Sequence, residues 1–462
     1  MSSRDDATIR GRRGLAGAAA VLAGLTLGLA ACGGSPASGG STGQASLSGQ
    51  TLTVFTQAPY GTQLKDYEEY YAYIANAFHR ATGSTIKWDY TTSTESLSQA
   101  IENAAATGTG PDVFSVGSSF NGTVAATKAF YTLTPSDWAQ VGGQSQIVPA
   151  MLTEAGSGNS SDVGVPFESI PFVMAYNKSL FAKAGITSAP TTWSQWIADG
   201  QAVQKADPAV DGASFSPSDP YGPWKPVWSY MEQLGGDFLT SPATADMDNP
   251  QLQAALQFYF AQDYQYHIVP PADLTWQGAQ EESAFAAGKT AMLADSTYSL
   301  YQELAGTPVQ QDVAFAPMPN VPYGMSSRPA GGHPAESIVS GNYYDVAKYY
   351  SNLALALKFI QVSTTPAAQL EQFTVMGWMP VTQAGIASVE KADPSMASFI
   401  TAEENSTPTD FTPAWADIET GLLTVIGHIA QQLATGRPYS ASYVMSQLQA
   451  ENAVVQQHLT SS

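Results

Sequence analysis

VPFESIPFVMAYNKSLFAKAG, residues 165–185, decides how the 462-residue chain divides. From Val165 to Tyr176 it is apolar and aromatic, the pattern of a buried strand. Asn177-Lys178 breaks that pattern, and Ser179 to Ala184 make a short amphipathic turn stopped by Gly185. The residues before the stretch read as one half of a protein. Most of those after it read as a second half, with one return to the first.

Upstream, Thr51 to Thr56 reads as a strand, and Asp66 to Ala81 as a helix with Tyr67, Tyr70, Tyr71, Ile74 and Phe78 at helical spacing. Ile86, Trp88 and Tyr90 alternate as in a second strand. Ser96 to Ala106 is helical, and Asp112 to Val116 is a third strand. This β-α-β-α-β order favours a mostly parallel, helix-covered sheet. Such sheets bind ligands outside the carboxyl ends of their strands. Those ends are Gln57 to Gly61, Thr91 to Thr94 and Gly117 to Asn121, all polar, aromatic or glycine-rich.

Downstream, Thr192 is a plausible N-cap for the helix that begins at Trp193. Pro220 to Trp228 reads as a proline-aromatic loop and Asn249 to Tyr266 as a long helix. A helix from Glu281 breaks at Gly288 before a strand around Ala291 to Ala294, and Val313 to Ala316 is a further strand. Asp345 to Thr364 and Pro366 to Phe373 read as helices, as do Trp415 to Gly436 and Ser440 to His458.

The first fifty residues stand apart from this fold. Arg4, Arg10, Arg12 and Arg13 form a basic region before the small and apolar run Gly14 to Ala31, as in a secretory signal. Leu29-Ala30-Ala31-Cys32 resembles a bacterial lipobox, in which the cysteine is lipidated after cleavage. Cys32 is the only cysteine, so no intramolecular disulfide can form. Gly33 to Gly49 is almost entirely small and polar and reads as a flexible tether. A net charge of −21 argues against nucleic acid as a partner.

No catalytic constellation emerges. The five histidines lie far apart, without metal-ligand spacing, and there is no nucleophile elbow or phosphate loop. Glu281-Glu282 and Glu403-Glu404 could suggest paired acids. Adjacent carboxylates on a helix point in different directions, so both pairs read as solvated faces. No cofactor and no metal are expected.

Several stretches in order resemble the sugar-type family of extracellular solute-binding lipoproteins that serve ABC importers, the group that includes maltose-binding protein. They are Gly110-Pro111-Asp112-Val113, the 165–185 stretch, Thr192-Trp193, Phe285 to Met292, Gly331-Gly332, Gly377 to Pro380 and Pro413-Ala414-Trp415. The resemblance implies an α/β, two-lobed periplasmic-binding-protein-like fold of class II type, with discontinuous lobes joined by three crossings. A signal would occupy 1–31 and a tether 32–50. One lobe would take 51–166 plus 337–376 and the other 170–329 plus 380–462, with hinges near 166–170, 329–336 and 376–380. It further implies a monomer, lipid-anchored at the outer face through Cys32, that binds a small carbohydrate and delivers it to permease subunits. A ligand-presenting sensor and a secreted glycoside hydrolase are the alternatives. At the positions where the cleft is then expected, the candidate ligand contacts are Tyr60, Ser118, Ser119, Glu168, Trp224, Asp295, Tyr298, Gly332, His333 and Trp378. Trp193 and Trp415 are assigned to packing.

Overall fold

The computed structural model describes residues 47–58, 64–156, 162–393 and 396–461. The expected signal segment, Cys32, most of the tether and Tyr60 lie outside them. Among the described residues the strands are, in chain order, β1 (Thr51–Gln57), β2 (Thr85–Thr91), β3 (Val113–Gly117), β4 (Gly164–Ser169), β5 (Val173–Asn177), β6 (Leu239–Ser241), β7 (Thr244–Ala245), β8 (Met292–Ser296), β9 (Val313–Ala316) and β10 (Gly341–Val346). No described helix is long and apolar enough to cross a membrane.

Five strands form one sheet in the order β2-β1-β3-β10-β4. β1 pairs in parallel with β2 and β3, as the βαβαβ pattern predicts, whereas β10 runs antiparallel to both its neighbours. Helices cover both faces. Leu52 and Val54 pack with Tyr67, Tyr70, Ile74 and Phe78 of the Leu64–Thr82 helix and with Leu355 and Phe359. On the other face Phe55, Phe114 and Val116 meet Leu97 and Ile101 of the Thr94–Thr107 helix. A strand buried on both faces loses the apolar–polar alternation of a half-exposed one.

The second sheet is β8-β5-β9, antiparallel throughout. Met174 and Met292 pack with Trp193 and Trp196 on one side, and Ala175 and Leu293 with Phe285, Leu300 and Val309 on the other. Thr192 and Gln195 form a reciprocal capping box at the start of the Trp193–Ala206 helix.

The 165–185 stretch therefore contributes to both sheets. β4 belongs to the first and β5 to the second, and Ile170-Pro171-Phe172 links them. The Asn177 side chain accepts from the Leu180 N–H at 3.1 Å and starts a helix at Lys178. Two more segments run beside the link. Ser169 and Met379 exchange both backbone hydrogen bonds at 2.9 Å. Ile170 N–H donates to the Ser340 carbonyl at 2.9 Å, and Phe172 N–H to Ser337 Oγ at 3.0 Å.

Two sequence expectations are corrected. Asp345 does not begin a helix: it lies in β10, and the helix starts at Leu353 with the Asn352 side chain accepting from Leu355 N–H. Tyr343, Tyr344 and Val346 are all buried, which hides the strand period. Trp224 does not lie in a loop but opens a helix, Trp224–Gln233. Pro223 and Pro226 are tolerated there because the first-turn N–H groups have no intrahelical partner to lose.

Gly341 has φ +151°, and a Cβ placed on it would collide with the Glu168 carbonyl oxygen across the β4–β10 pair. Gly341→Ala is expected to cost about 3 kcal/mol, through strain and overpacking. Thermal melting checks this, and an unaltered melting temperature would mean that the pair yields freely at this point.

Candidate functional site

The carboxyl ends of β1, β2 and β3 open onto a cavity of about 590 Å³. Gln57 and Ala58, Thr91 to Thr94, and Gly117 to Phe120 supply one wall. The facing wall comes from the second half of the fold: Ser214 to Ser216, Asp219 to Pro226, Glu281, Glu282 and Asp295. The segments that run between the sheets contribute Ile170, Phe172, Ser340 to Asn342, and Trp378.

Local chemistry explains how these residues are held. Asp219 accepts from the N–H groups of Tyr221 at 2.9 Å, Gly222 at 3.0 Å and Gly278 at 3.2 Å, which pins the loop before the Trp224 helix. Trp224 packs edge-on against Trp415, ring centroids 5.5 Å apart. The Lys225 ammonium donates to the Tyr221 carbonyl at 2.8 Å and lies over the rings of Phe172 and Trp224, 5.3 and 5.1 Å from their centroids. Glu419 accepts from Thr94 Oγ1 at 3.1 Å and from Trp415 Nε1 at 3.0 Å, joining the first wall to the second. On the first wall Ser118 donates its hydroxyl to the Val339 carbonyl at 2.9 Å.

The electrostatics are one-sided. Asp219, Glu281, Glu282, Asp295, Glu303 and Glu419 line the cavity, and Lys225 is the basic side chain among its lining residues. Burial pushes the Glu281 carboxyl up to about 8, with a Ser216 hydrogen bond opposing it. Burial also raises Glu282, and the Glu303 carboxyl that it hydrogen-bonds adds to the rise. Asp295 is pushed up to about 7 by burial, against the pull of Lys225. Burial lowers Lys225 itself, opposed by Glu419, Asp219 and Asp295.

Of the candidate contacts, Ser118, Ser119, Trp224, Asp295 and Trp378 line the cavity. Glu168 lies behind it: fully buried, it accepts from Asn342 Nδ2 and, at 3.0 Å, from Gln372 Nε2. Asn342 is the member of this group that reaches the cavity. Tyr298 is buried, stacks on Phe373 at 4.7 Å and donates to Asp393. His333 N–H donates to the Glu232 carbonyl at 2.9 Å, and Gly332 packs against the Gln233 backbone. Tyr298, Gly332 and His333 are not among the cavity-lining residues.

The reading of the acidic pairs as solvated faces is corrected for Glu281, Glu282 and Glu403, whereas Glu404 is exposed as expected. Glu281 and Glu282 both line the cavity, since they fall in the first turn and a half of the Gly278–Ala286 helix against a wide concave wall. Glu403 is only 2% exposed. Sequence reasoning also passes over Lys225, Asn342 and Glu419. A signal for the last is present, because Glu419 stands one helical turn after Trp415 and can reach its indole N–H.

The model of the bacterial extracellular solute-binding protein family matches residues 61–370, more than half of the chain, and the protein belongs to that family. The diacetylchitobiose-binding protein DasA of Streptomyces coelicolor is 22% identical over 422 residues, which cover 87% of this chain and 90% of DasA. Among solved structures, maltose-bound MalE3 of T. maritima superposes with a TM-score of 0.72 at 19% identity, over 88% of this chain and all of that one. An ABC transporter solute-binding protein of Agrobacterium radiobacter in complex with ribitol gives 0.71 at 18% identity, over 89% of this chain and all of the other. The fold is thus the two-lobed one of these binding proteins.

Proposed function

We propose that the protein is a receptor that captures a carbohydrate between its lobes and delivers it to the permease of an ABC importer. One observation carries the reading: the cavity combines aromatic rings, suited to the apolar faces of a sugar ring, with hydroxyl, amide and carboxylate groups suited to its hydroxyls. The names of the relatives support it, since maltose, ribitol and diacetylchitobiose are polyhydroxylated. The lobes are assigned as 51–166 plus 337–376 and 170–329 plus 380–462. Ser118, Ser119, Trp224, Asp295 and Trp378 are the proposed contacts, and Glu168 acts by orienting Asn342. Tyr298, Gly332 and His333 serve the fold. Closure follows from differential binding: a ligand that touches both walls favours the state in which they approach. The protein works as a binding protein without turnover, as a monomer held at the outer face of the membrane by a lipid on Cys32.

A melting screen against mono-, di- and oligosaccharides tests this. A saccharide at a hundredfold excess over its Kd should stabilise the folded protein by about 2.7 kcal/mol. It should also change the intrinsic fluorescence, because Trp224 and Trp378 line the cavity. If saccharides of every common size leave both signals unmoved, the carbohydrate reading fails.

A further inference from the structure

We propose that Asp345 is a positioning residue of the cavity: its carboxylic acid donates a hydrogen bond to the side-chain carbonyl of Asn121 and so holds the turn that carries Ser118 and Ser119. The hydrogen bond stands on the geometry of the first sheet, and its bearing on the ligand rests on the carbohydrate reading above.

Two buried acceptors face one place without a donor between them. Asp345 and Asn121 are both fully buried, and neither the Asp345 oxygens nor Asn121 Oδ1 receive a hydrogen bond. They converge beside Gly164 of β4, where a Cβ placed on the glycine would lie 3.0 Å from Asn121 Oδ1 and 3.3 Å from Asp345 Oδ1. The Asn121 amide cannot be turned around to relieve this. Its Nδ2 donates to the Glu154 carbonyl at 2.7 Å, and a reversed amide would set oxygen against oxygen there. An ionised Asp345 leaves both side chains short of a donor in the core, whereas one proton on its carboxyl supplies the donor that Asn121 lacks. Burial pushes that carboxyl up to about 8, so the proton is held at neutral pH. The other titratable groups here, gathered with Asp345 around Tyr343, are Glu154 and Glu403. Glu154 is engaged by Thr409, Glu403 by Ser169, and the Tyr343 hydroxyl by the Met151 carbonyl. No trio of His, Cys, Asp or Glu among the described residues is arranged to hold a metal ion, which favours a proton over a metal as the bridge.

The position of Asn121 gives the contact its consequence. The Asn121 N–H donates to the Ser118 carbonyl and closes the Ser118–Phe120 turn, and Ser118 and Ser119 line the cavity. β10 brings Asn342 to the same cavity and, three residues on, Asp345 to the end of that turn. The acid thus braces one cavity-lining strand against the turn beside it. Because the fold raises the proton affinity of Asp345, the brace is intact at acidic and neutral pH and is lost as the pH rises through about 8.

Hydrogen exchange of the unliganded protein at pH 6 and pH 9 tests the brace, with rates corrected for base catalysis and β1 as the reference for global opening. In the wild type, protection of residues 117–121 relative to β1 should fall about tenfold between the two, as expected for the loss of one buried hydrogen bond. Asp345→Asn keeps a donor at every pH and should hold its protection level. Asp345→Leu removes the donor at similar volume and should exchange fast at both. If Asp345→Leu does not fold, the comparison of the wild type with Asp345→Asn decides alone. A wild-type profile that stays level, or one that Asp345→Asn reproduces, overturns the inference. So does protection restored at pH 9 by sodium or calcium, which would put a cation where the proton is placed. For the ligand, calorimetric titration with maltose and with diacetylchitobiose follows the same pH steps. The sugar that binds should lose about tenfold more affinity in the wild type than in Asp345→Asn, since the cavity acids are common to both. An equal loss overturns the positioning role. If no saccharide of the melting screen binds, the carbohydrate reading fails while the exchange profile still decides the hydrogen bond.

Discussion

Raising the pH from 5 to 8 is expected to lower the melting temperature of the unliganded protein by roughly 5–10 °C. The cause is a set of carboxyls sealed in the fold without cationic partners. Glu168 and Asp345 are fully buried, Glu154 is 1% exposed and Glu403 is 2% exposed. Burial pushes Glu168, Asp345 and Glu403 up to about 8 and Glu154 up to about 7, although Glu154 is partly compensated by the Thr409 N–H at 2.7 Å and Oγ1 at 2.9 Å. Neither oxygen of Asp345 has a hydrogen-bond partner. In the unfolded chain all four release their protons near the ordinary carboxylate value, whereas the fold retains them to about pH 7–8. Their contribution is therefore complete below the unfolded pKa and is lost as the pH rises through the folded one. A tenfold rise in proton affinity on folding corresponds to about 1.4 kcal/mol, and relaxation and water entry reduce the sum over the four to roughly 5 kcal/mol. Calorimetry at pH 5, 6, 7 and 8 reads the slope directly. Asp345→Asn should flatten it, which separates this cause from general repulsion within an acidic protein; a slope that Asp345→Asn leaves untouched would contradict the assignment.

Glu168→Ala should destabilise the unliganded protein by about 3 kcal/mol. The carboxyl accepts from Asn342 and Gln372, and the Gln372 side chain in turn accepts from the Tyr70 hydroxyl at 3.1 Å. Removing it strips the acceptor from two amides inside the fold and leaves a void where the chain leaves the first sheet. Glu168→Gln keeps the volume and one acceptor and should cost about 1 kcal/mol. Chemical denaturation distinguishes the two variants. From the sequence alone, Glu168 is a candidate ligand contact; its complete burial adds a structural cost to its loss. A full-strength fold in Glu168→Ala would return it to the ligand.

The contrast between Glu168 and Ser118 shows what a linear reading can reach. Ser118 follows a recognisable strand in a βαβαβ run, and the rule that ligands gather beyond strand ends places it without further information. Glu168 also borders the cavity in sequence terms, but which way it points depends on β10, whose Asn342 arrives 174 positions later. The strand β10 is itself hidden. GNYYDV is buried along almost its whole length, its aromatic pair gives no period of two, and Asp345 imitates the acidic start of a helix. Glu281 and Glu282 are misread for a related reason: helical spacing says which residues share a face, and only tertiary packing says whether that face meets solvent or a cavity. Capping signals are more legible, because Thr192 acts on an amide three residues away.

The position of β10 also bears on how the molecule is made. Until residue 341 has left the ribosome, β3 and β4 have no strand to lie between them, and the first sheet cannot be completed. The Trp415–Ala434 helix, which packs against the Thr94–Thr107 and Trp224–Gln233 helices, comes later still. Completion of the first sheet is thereby postponed until about three quarters of the chain exists. For a member of an extracellular family this delay is useful, since a polypeptide whose first sheet cannot close early keeps that part of its length threadable through a secretion pore.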